Sequence, residues 1–228
     1  MRAWQGVRDP ALRLEQFEGQ ACHLGLDLAS RTDLAALALV FPQSCPETGK
    51  TSYAVFARCY LNEEAVMEAR NAAYPGWAAA ERLVITPGNE TDFQVIEDNI
   101  LELSRRFQII SIGYDPWQST QLAQRLRAEE IEMVEFRSTT ANFSPAIIEL
   151  DAAMRSGRLQ HDGNPVLEWC VGNVAGKPDC RGNFYPTKAR PEQKIDAAVA
   201  LIMAIGRAMA EPVQAMSCFE NPAWDMME

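Results

Sequence analysis

Cysteine occurs in this chain only singly. Cys22, Cys45, Cys59, Cys170, Cys180 and Cys218 include no Cys-x-x-Cys pair, and the only two histidines, His23 and His161, stand at no zinc-ligand spacing from them. A structural zinc site is therefore not expected. Long apolar runs are lacking too: the longest, Ile195 to Ala210, is interrupted by Asp196 and Arg207 and falls short of the ~20 residues that span a bilayer. No membrane segment is expected. Met1 to Pro10 lacks the apolar core of a signal peptide, which points to reduced thiols in a cytoplasm. Basic excess is missing as well, since 21 Lys and Arg face 31 Asp and Glu for a net charge of -10. Bulk charge cannot hold nucleic acid here, although a local basic groove stays open. A phosphate loop is also absent, because Ser44 stands where Gly49-Lys50-Thr51 would need a glycine and no helix follows.

What remains is ordinary globular material, 228 residues, enough for one well-filled α/β core. Residues 1–20 read as a linker or lead-in, 21–210 as the domain, and 211–228 as an acidic tail. In the domain, Leu24, Leu26 and Leu28 alternate onto one face of a strand over 22–28, which turns Asp27 to the other. Strand-like runs over 34–41 and 52–61 flank a turn from Pro42 to Lys50, predicting an antiparallel meander. Residues 62–83 are helical in pattern, with a break at Pro75-Gly76 and Trp77 buried near it. Thr91 and Gln94 form a capping box for a helix whose Phe93, Ile96, Ile100, Leu103 and Phe107 make a core stripe. That helix leads into the apolar run Ile109 to Asp115, a crossover that returns a strand parallel to the first.

Further on, residues 118–128 predict a helix, 131–136 a strand, and Ser144-Pro145 the start of a helix that stops at Gly157. A turn at His161 to Asn164 opens a short helix at Pro165, Val174 to Lys188 has hairpin character, and Pro191 opens the last helix. Three antiparallel strands, then helix, strand, helix, strand and a final helix, is the layout of the ribonuclease H-like fold: a mixed central sheet flanked by helices.

This layout would set Asp27 and Asp115 across one strand spacing of about 5 Å, with Asp196 over the same point. A carboxylate in an apolar strand costs several kcal/mol, roughly, unless it is paired or binds a metal. Three hard oxygen ligands suit magnesium or manganese, and a pair of such ions can activate water and stabilise a leaving oxygen in phosphodiester hydrolysis. Singly, each residue has a plainer reading. Asp115 before proline is also a turn aspartate, Asp196 also favours a helix dipole, and Asp27 also suits an arginine partner.

Gly25-Leu26-Asp27-Leu28-Ala29-Ser30 with Asp33, Gly113-Tyr114-Asp115-Pro116-Trp117, His161 to Leu167 with Asn173, and Lys194-Ile195-Asp196 together resemble the nuclease domain of tailed-bacteriophage large terminase subunits, of the group typified by phage HK97. The resemblance covers about residues 15–210. It implies a metal-dependent endonuclease that cuts concatemeric double-stranded viral DNA during genome packaging in the cytoplasm of the bacterial host. Asp27, Asp115 and Asp196 match its catalytic acids, and Asp33 resembles an additional acid that some members use near the metals; otherwise Asp33 is a turn residue or helix cap. Full members begin with an ATPase domain. No ATP site is found here, so the chain is expected to cut DNA without translocating it. Implied partners are that ATPase domain of the same subunit, the small terminase subunit and the portal protein.

Lys188, Arg190 and Lys194, with Lys177 and Arg181 in the hairpin, are candidate phosphate contacts, or else a solvated charged face. Lys194 either steadies transition-state charge or pairs with Asp196. His161 either lies near the scissile phosphate or, the favoured reading, braces its loop through a backbone hydrogen bond. Rival readings are an actin-like or sugar-kinase ATPase, for which a second phosphate hairpin is lacking; a resolvase or transposase-like enzyme of the same fold; and a non-catalytic DNA or portal docking module.

Overall fold

The computed structural model describes residues 1–44, 49–68 and 71–211. β1 (Ala21–Asp27) sends Cys22, Leu24 and Leu26 into one apolar layer, while His23, Gly25 and Asp27 turn to the opposite face. β2 (Ala35–Ser44) and β3 (Thr51–Asn62) complete the antiparallel meander, with Asp27 opposite Ala36 and Ala36 opposite Cys59. β2 runs on through Pro42, which the sequence had suggested for the turn. Pro42 pairs with Tyr53, and it lies beyond the β1 register, which begins at His23 and Val40, so only β3 flanks it and its missing N–H is tolerated.

The region from 62 to 83 departs from its expected broken helix. α2 (Glu63–Glu68) and α3 (Tyr74–Ala79) are separate, and Pro75-Gly76 open α3 because proline suits a first helical turn. Trp77 is half-buried against Tyr74 and Trp169. β4 (Val84–Thr86) then pairs parallel with β3, an addition too short to betray itself by alternation.

α4 (Phe93–Arg106) buries the expected stripe, but its cap is Asp92, whose carboxylate accepts from the Gln94 N–H at 2.8 Å. Thr91 is buried instead, its N–H donating to the Ser30 carbonyl. β5 (Gln108–Tyr114) returns parallel to β1, with Leu26 opposite Tyr114. α5 (Thr120–Ala128) and β6 (Met133–Glu135) repeat the crossover. α6 (Thr140–Arg155) starts from the cap Thr139, not Ser144; Pro145 lies inside it, and the Ser144 hydroxyl accepts from the Phe184 N–H.

β7 (Leu159–His161) extends the sheet beside β3, so His161 belongs to a strand and not to a turn. α7 (Pro165–Asn173), capped by Asn164 as expected, leads to the hairpin of β8 (Val174–Pro178) and β9 (Phe184–Lys188). α8 (Asp196–Ala210) begins five residues after Pro191, and it is buried nearly all round, with Met209 exposed.

The sheet order β4-β3-β2-β1-β5-β6, with β7 also on β3, is the expected ribonuclease H-like arrangement, a mixed sheet between helical layers. α4 and α5 cover the Leu24 face, and α6, α7 and α8 the Asp27 face. The amino-terminal segment joins this core. α1 (Arg2–Gly6) buries Trp4, which stacks on His161 with ring centroids 4.0 Å apart, and Leu12 and Phe17 are buried after it. Cys22, Cys59 and Cys170 are free and buried and Cys180 is free and exposed, whereas Cys45, Cys218 and the expected acidic tail after Glu211 lie outside the described residues. Among the described residues no helix is long and apolar enough to cross a membrane.

Candidate active site

A close approach of helix to strand builds the site. A Cβ on Gly25 would stand 1.9 Å from the Ala200 carbonyl oxygen, so glycine lets α8 lie against β1. Two residues further along β1, about 6–7 Å, comes Asp27; four residues back along α8, about 6 Å, comes Asp196. Asp115 follows β5 directly, one position beyond the Leu26 and Tyr114 pair, and so lies beside Asp27. The three carboxylates expected to meet therefore share one end of the sheet.

Their electrostatics carry the same message. Burial, and then the charges of Asp196, Asp115 and Asp33, push the Asp27 carboxyl well above the usual range, with Lys188 pulling the other way. Asp196 is pushed up to about 6, first by burial and then by Asp33, against the opposing backbone N–H, Lys188 and Lys194. Its Oδ2 is buried without a hydrogen-bond partner among the described residues. Asp115 accepts from the Trp117 N–H at 2.8 Å and from the Ser138 hydroxyl.

Asp33 sits differently. Its Oδ1 accepts from Lys194 at 2.5 Å and from Lys188 at 3.2 Å. Burial would raise its carboxyl, but the hydrogen bond and charge of Lys194, followed by those of Lys188, bring it below the usual range. Lys194 thus pairs with Asp33 where the sequence suggested Asp196. Asn173 fixes this arrangement, since its side chain donates to the Lys194 carbonyl at 3.0 Å and its own carbonyl accepts from the Ala189 N–H.

Arg190 is exposed in the turn before Lys194, and Arg181 is exposed at the tip of the hairpin with Lys177 nearby. His161 is not brought to the carboxylates. It is opposite Val55, four residues along β3 from Cys59, roughly 13 Å by strand rise. Its Nε2 faces the Trp4 carbonyl at 3.0 Å and its Nδ1 accepts from the Gly163 N–H, the bracing role favoured from the sequence. Ser138, which holds Asp115, had no sequence signal, being one serine in a loop.

Among the described residues no group of three or more His, Cys, Asp or Glu side chains is placed so that it could hold a metal ion as it stands. Asp115 and Asp33 are turned to other donors. The donor chemistry nevertheless fits a hard divalent cation: Asp27, Asp115 and Asp196 are all carboxylates, they repel one another, and one buried Asp196 oxygen is unclaimed. A cleft of about 340 Å³, lined by Ser30, Arg31, Asp33, Trp117 and Asp196, opens beside them. A larger cavity of about 720 Å³ lies elsewhere, near Arg58 and Arg82, whose guanidinia are already paired with Glu102 and Asp162.

Comparison with known proteins agrees with this fold. "Protein YmfN" of Escherichia coli (strain K12) is 37% identical over 217 residues, covering 91% of this chain and 47% of that protein. The large terminase subunit of Enterobacteria phage HK97 is 28% identical over 204 residues, covering 87% of this chain and 40% of its own length. The crystal structure of the HK97 large terminase superposes with a TM-score of 0.77 at 26% identity, over 91% of this chain and 42% of that one. The large terminase nuclease of thermophilic phage G20c, solved with bound magnesium, shares the fold at 13% identity and a TM-score of 0.50, over 82% of this chain and 81% of that one. This chain spans less than half the length of the curated relatives it matches. The family described as terminase large subunit, endonuclease domain, matches residues 4–211, and the chain belongs to that family.

Proposed function

We propose that this chain is a metal-dependent endodeoxyribonuclease that cleaves double-stranded viral DNA concatemers during phage genome packaging. The observation that carries the reading is the buried, unclaimed Oδ2 of Asp196 within a group of carboxylates where burial, and then neighbouring charge, raises Asp27. Asp27, Asp115 and Asp196 would hold magnesium or manganese, two ions by the chemistry of this reaction class. A nuclease of the same fold solved with bound magnesium supports a divalent cation here. When bound, the ions supply an activated water and stabilise the leaving oxygen.

The protein's own residues do the rest. Trp117 and Ser138 orient Asp115 through its two oxygens. Lys188 and Lys194, held at the mouth by Asp33, receive a phosphate, and Arg181 and Arg190 follow the backbone further out. Phosphate contacts position DNA without reading its sequence, so the place of the cut would come from partners. Those partners are the ATPase domain of the same subunit, the small terminase subunit and the portal protein, in the host cytoplasm.

The test is a plasmid assay with the purified chain. Nicking and linearisation are expected in manganese, and in magnesium at a lower rate, with none in chelator. Asp27→Asn, Asp115→Asn and Asp196→Asn should each abolish cleavage; full activity in all three would refute the assignment. Preference for branched over linear DNA would favour a resolvase instead.

A further inference from the structure

We propose that the cleft at the carboxylates continues into a nucleobase subsite, formed by Trp117 with the amides of Gln118 and Gln121, that takes one base of the scissile strand. This deepens the nuclease reading and rests on it.

The cleft beside Asp196 shares Ser30 and Gln118 with a neighbouring cavity of about 550 Å³ between the start of α4 and α5. That volume is within the roughly 300–1,000 Å³ usual for small-molecule sites. Its chemistry is not that of a phosphate site, because its one cationic group, Arg125, is paired with Glu97 at 2.5 Å. Its two carboxylates are also engaged, Glu90 with Arg31 and Asp92 with the Gln94 N–H, and the rest of its polar lining is neutral. The side-chain amides of Gln118 and Gln121 have no hydrogen-bond partner among the described residues, and the buried Thr91 hydroxyl also has none. Amides carry both donors and acceptors, as does the edge of a base.

Trp117 lines the cleft next to Gln118, one of the two residues shared with the second cavity. It is 77% exposed, the most exposed large apolar side chain among the described residues, and its ring touches no other aromatic ring. Its position is set by the site itself, because its N–H donates to Asp115 and the next residue, Gln118, has a left-handed φ of 63°. That conformation is uncommon for a residue with a side chain, and it directs the chain sharply from Trp117 into α5. An exposed indole whose backbone is tied to Asp115 is available as a stacking platform, and stacking tolerates any base because each has a π-face. A base of a duplex must leave its stack to reach it, which the enzyme would find easiest at weakly paired steps.

Abasic scanning tests the subsite apart from the cleavage reaction. Binding of the 228-residue chain to single-stranded oligonucleotides cut to the length of one binding site, so that all bind in one register, is measured without divalent cation, each oligonucleotide lacking one base in turn. One position is expected at which loss of the base weakens binding roughly tenfold, the size of one stacked base. Trp117→Ala should erase that difference and Trp117→Phe should largely keep it. Gln118→Gly, which suits the left-handed φ, and Gln121→Ala should lessen discrimination among the four bases at that position while retaining the stacking effect. An abasic scan that is flat for the parent chain overturns the subsite, even if plasmid is still cut. A scan with the expected position, combined with failure to cut any DNA in manganese, keeps the subsite and removes the nuclease reading.

Discussion

Lys194 Nζ lies 2.5 Å from Asp33 Oδ1, and Lys188 shares the same oxygen at 3.2 Å. Asp33 is thereby an anchor for two cations at the mouth of the carboxylate site. Asp33→Asn should leave the manganese requirement of cleavage nearly unchanged, whereas an increase of ten- to hundredfold, roughly the cost of disturbing a metal's supporting shell, would make it part of the metal site. Lys188→Ala should weaken DNA binding for all sequences alike and reduce the slope of log affinity against log salt by about one.

Asp196 gives a pH signature. Its carboxyl is pushed up to about 6, by burial first and then by Asp33, from an ordinary 3.8. A raised carboxyl holds its proton more tightly in the folded chain, so its contribution to stability is complete below the unfolded value and is lost as pH rises through about 6. In chelator at about pH 7.5, Asp196→Asn should be more stable than the parent by on the order of 3 kcal/mol, with the gap closing toward pH 4. His23 acts in the opposite sense, since burial and Arg207 push its ring down to about 4, and comparison of the two proteins cancels it. Urea melts across this range decide the matter; a gap independent of pH would contradict it.

The glycines under α8 should differ in tolerance. At Gly25 an added Cβ meets the Ala200 carbonyl at 1.9 Å, backbone that cannot move without shifting the helix that carries Asp196. At Gly113 it meets the Arg207 Cγ at 2.9 Å, a longer contact and with a side chain, not with helix backbone. Gly25→Ala is expected to lose at least ~4 kcal/mol, the range reserved for severe core changes, and Gly113→Ala much less. Equal thermal shifts for the two would mean that α8 does not bear on β1 as described.

Trp4 and His161 form a structural pair far from the acids. Trp4→Ala should cost about 3–5 kcal/mol as a large aromatic lost from the core. His161→Gln should lower thermal stability while leaving the cleavage rate of the folded fraction within about twofold, since its ring is turned to Trp4 and Gly163 and not to the carboxylates. A large fall in that rate with an unchanged melting temperature would restore His161 to the reaction.

Local pattern carries information only about what a residue does along its own chain, and the outcome divides accordingly. The alternation around Asp27, the meander, the α4 stripe and the crossover into β5 were all readable, because burying one face imposes a period of two or near 3.6. β4 and β7, three residues each, are too short to show a period and exist because β3 offers them an edge. Two helix starts differ from the sequence pattern: the backbone of Thr91 is tied to Ser30, which leaves Asp92 to cap α4, and the Ser144 hydroxyl is taken by the Phe184 N–H inside α6.

The sequence by itself determined the order of elements and hence which three aspartates could meet. Only the tertiary structure decided what each polar group does on arrival. Asp33 meets two lysines more than 150 residues away, Asp115 meets Ser138, and His161 is stacked under Trp4 from the other end of the chain. The physical reason is that a carboxylate or imidazole takes its role from the charges and donors within a few ångströms, and those neighbours are assembled by the packing of sheet and helices.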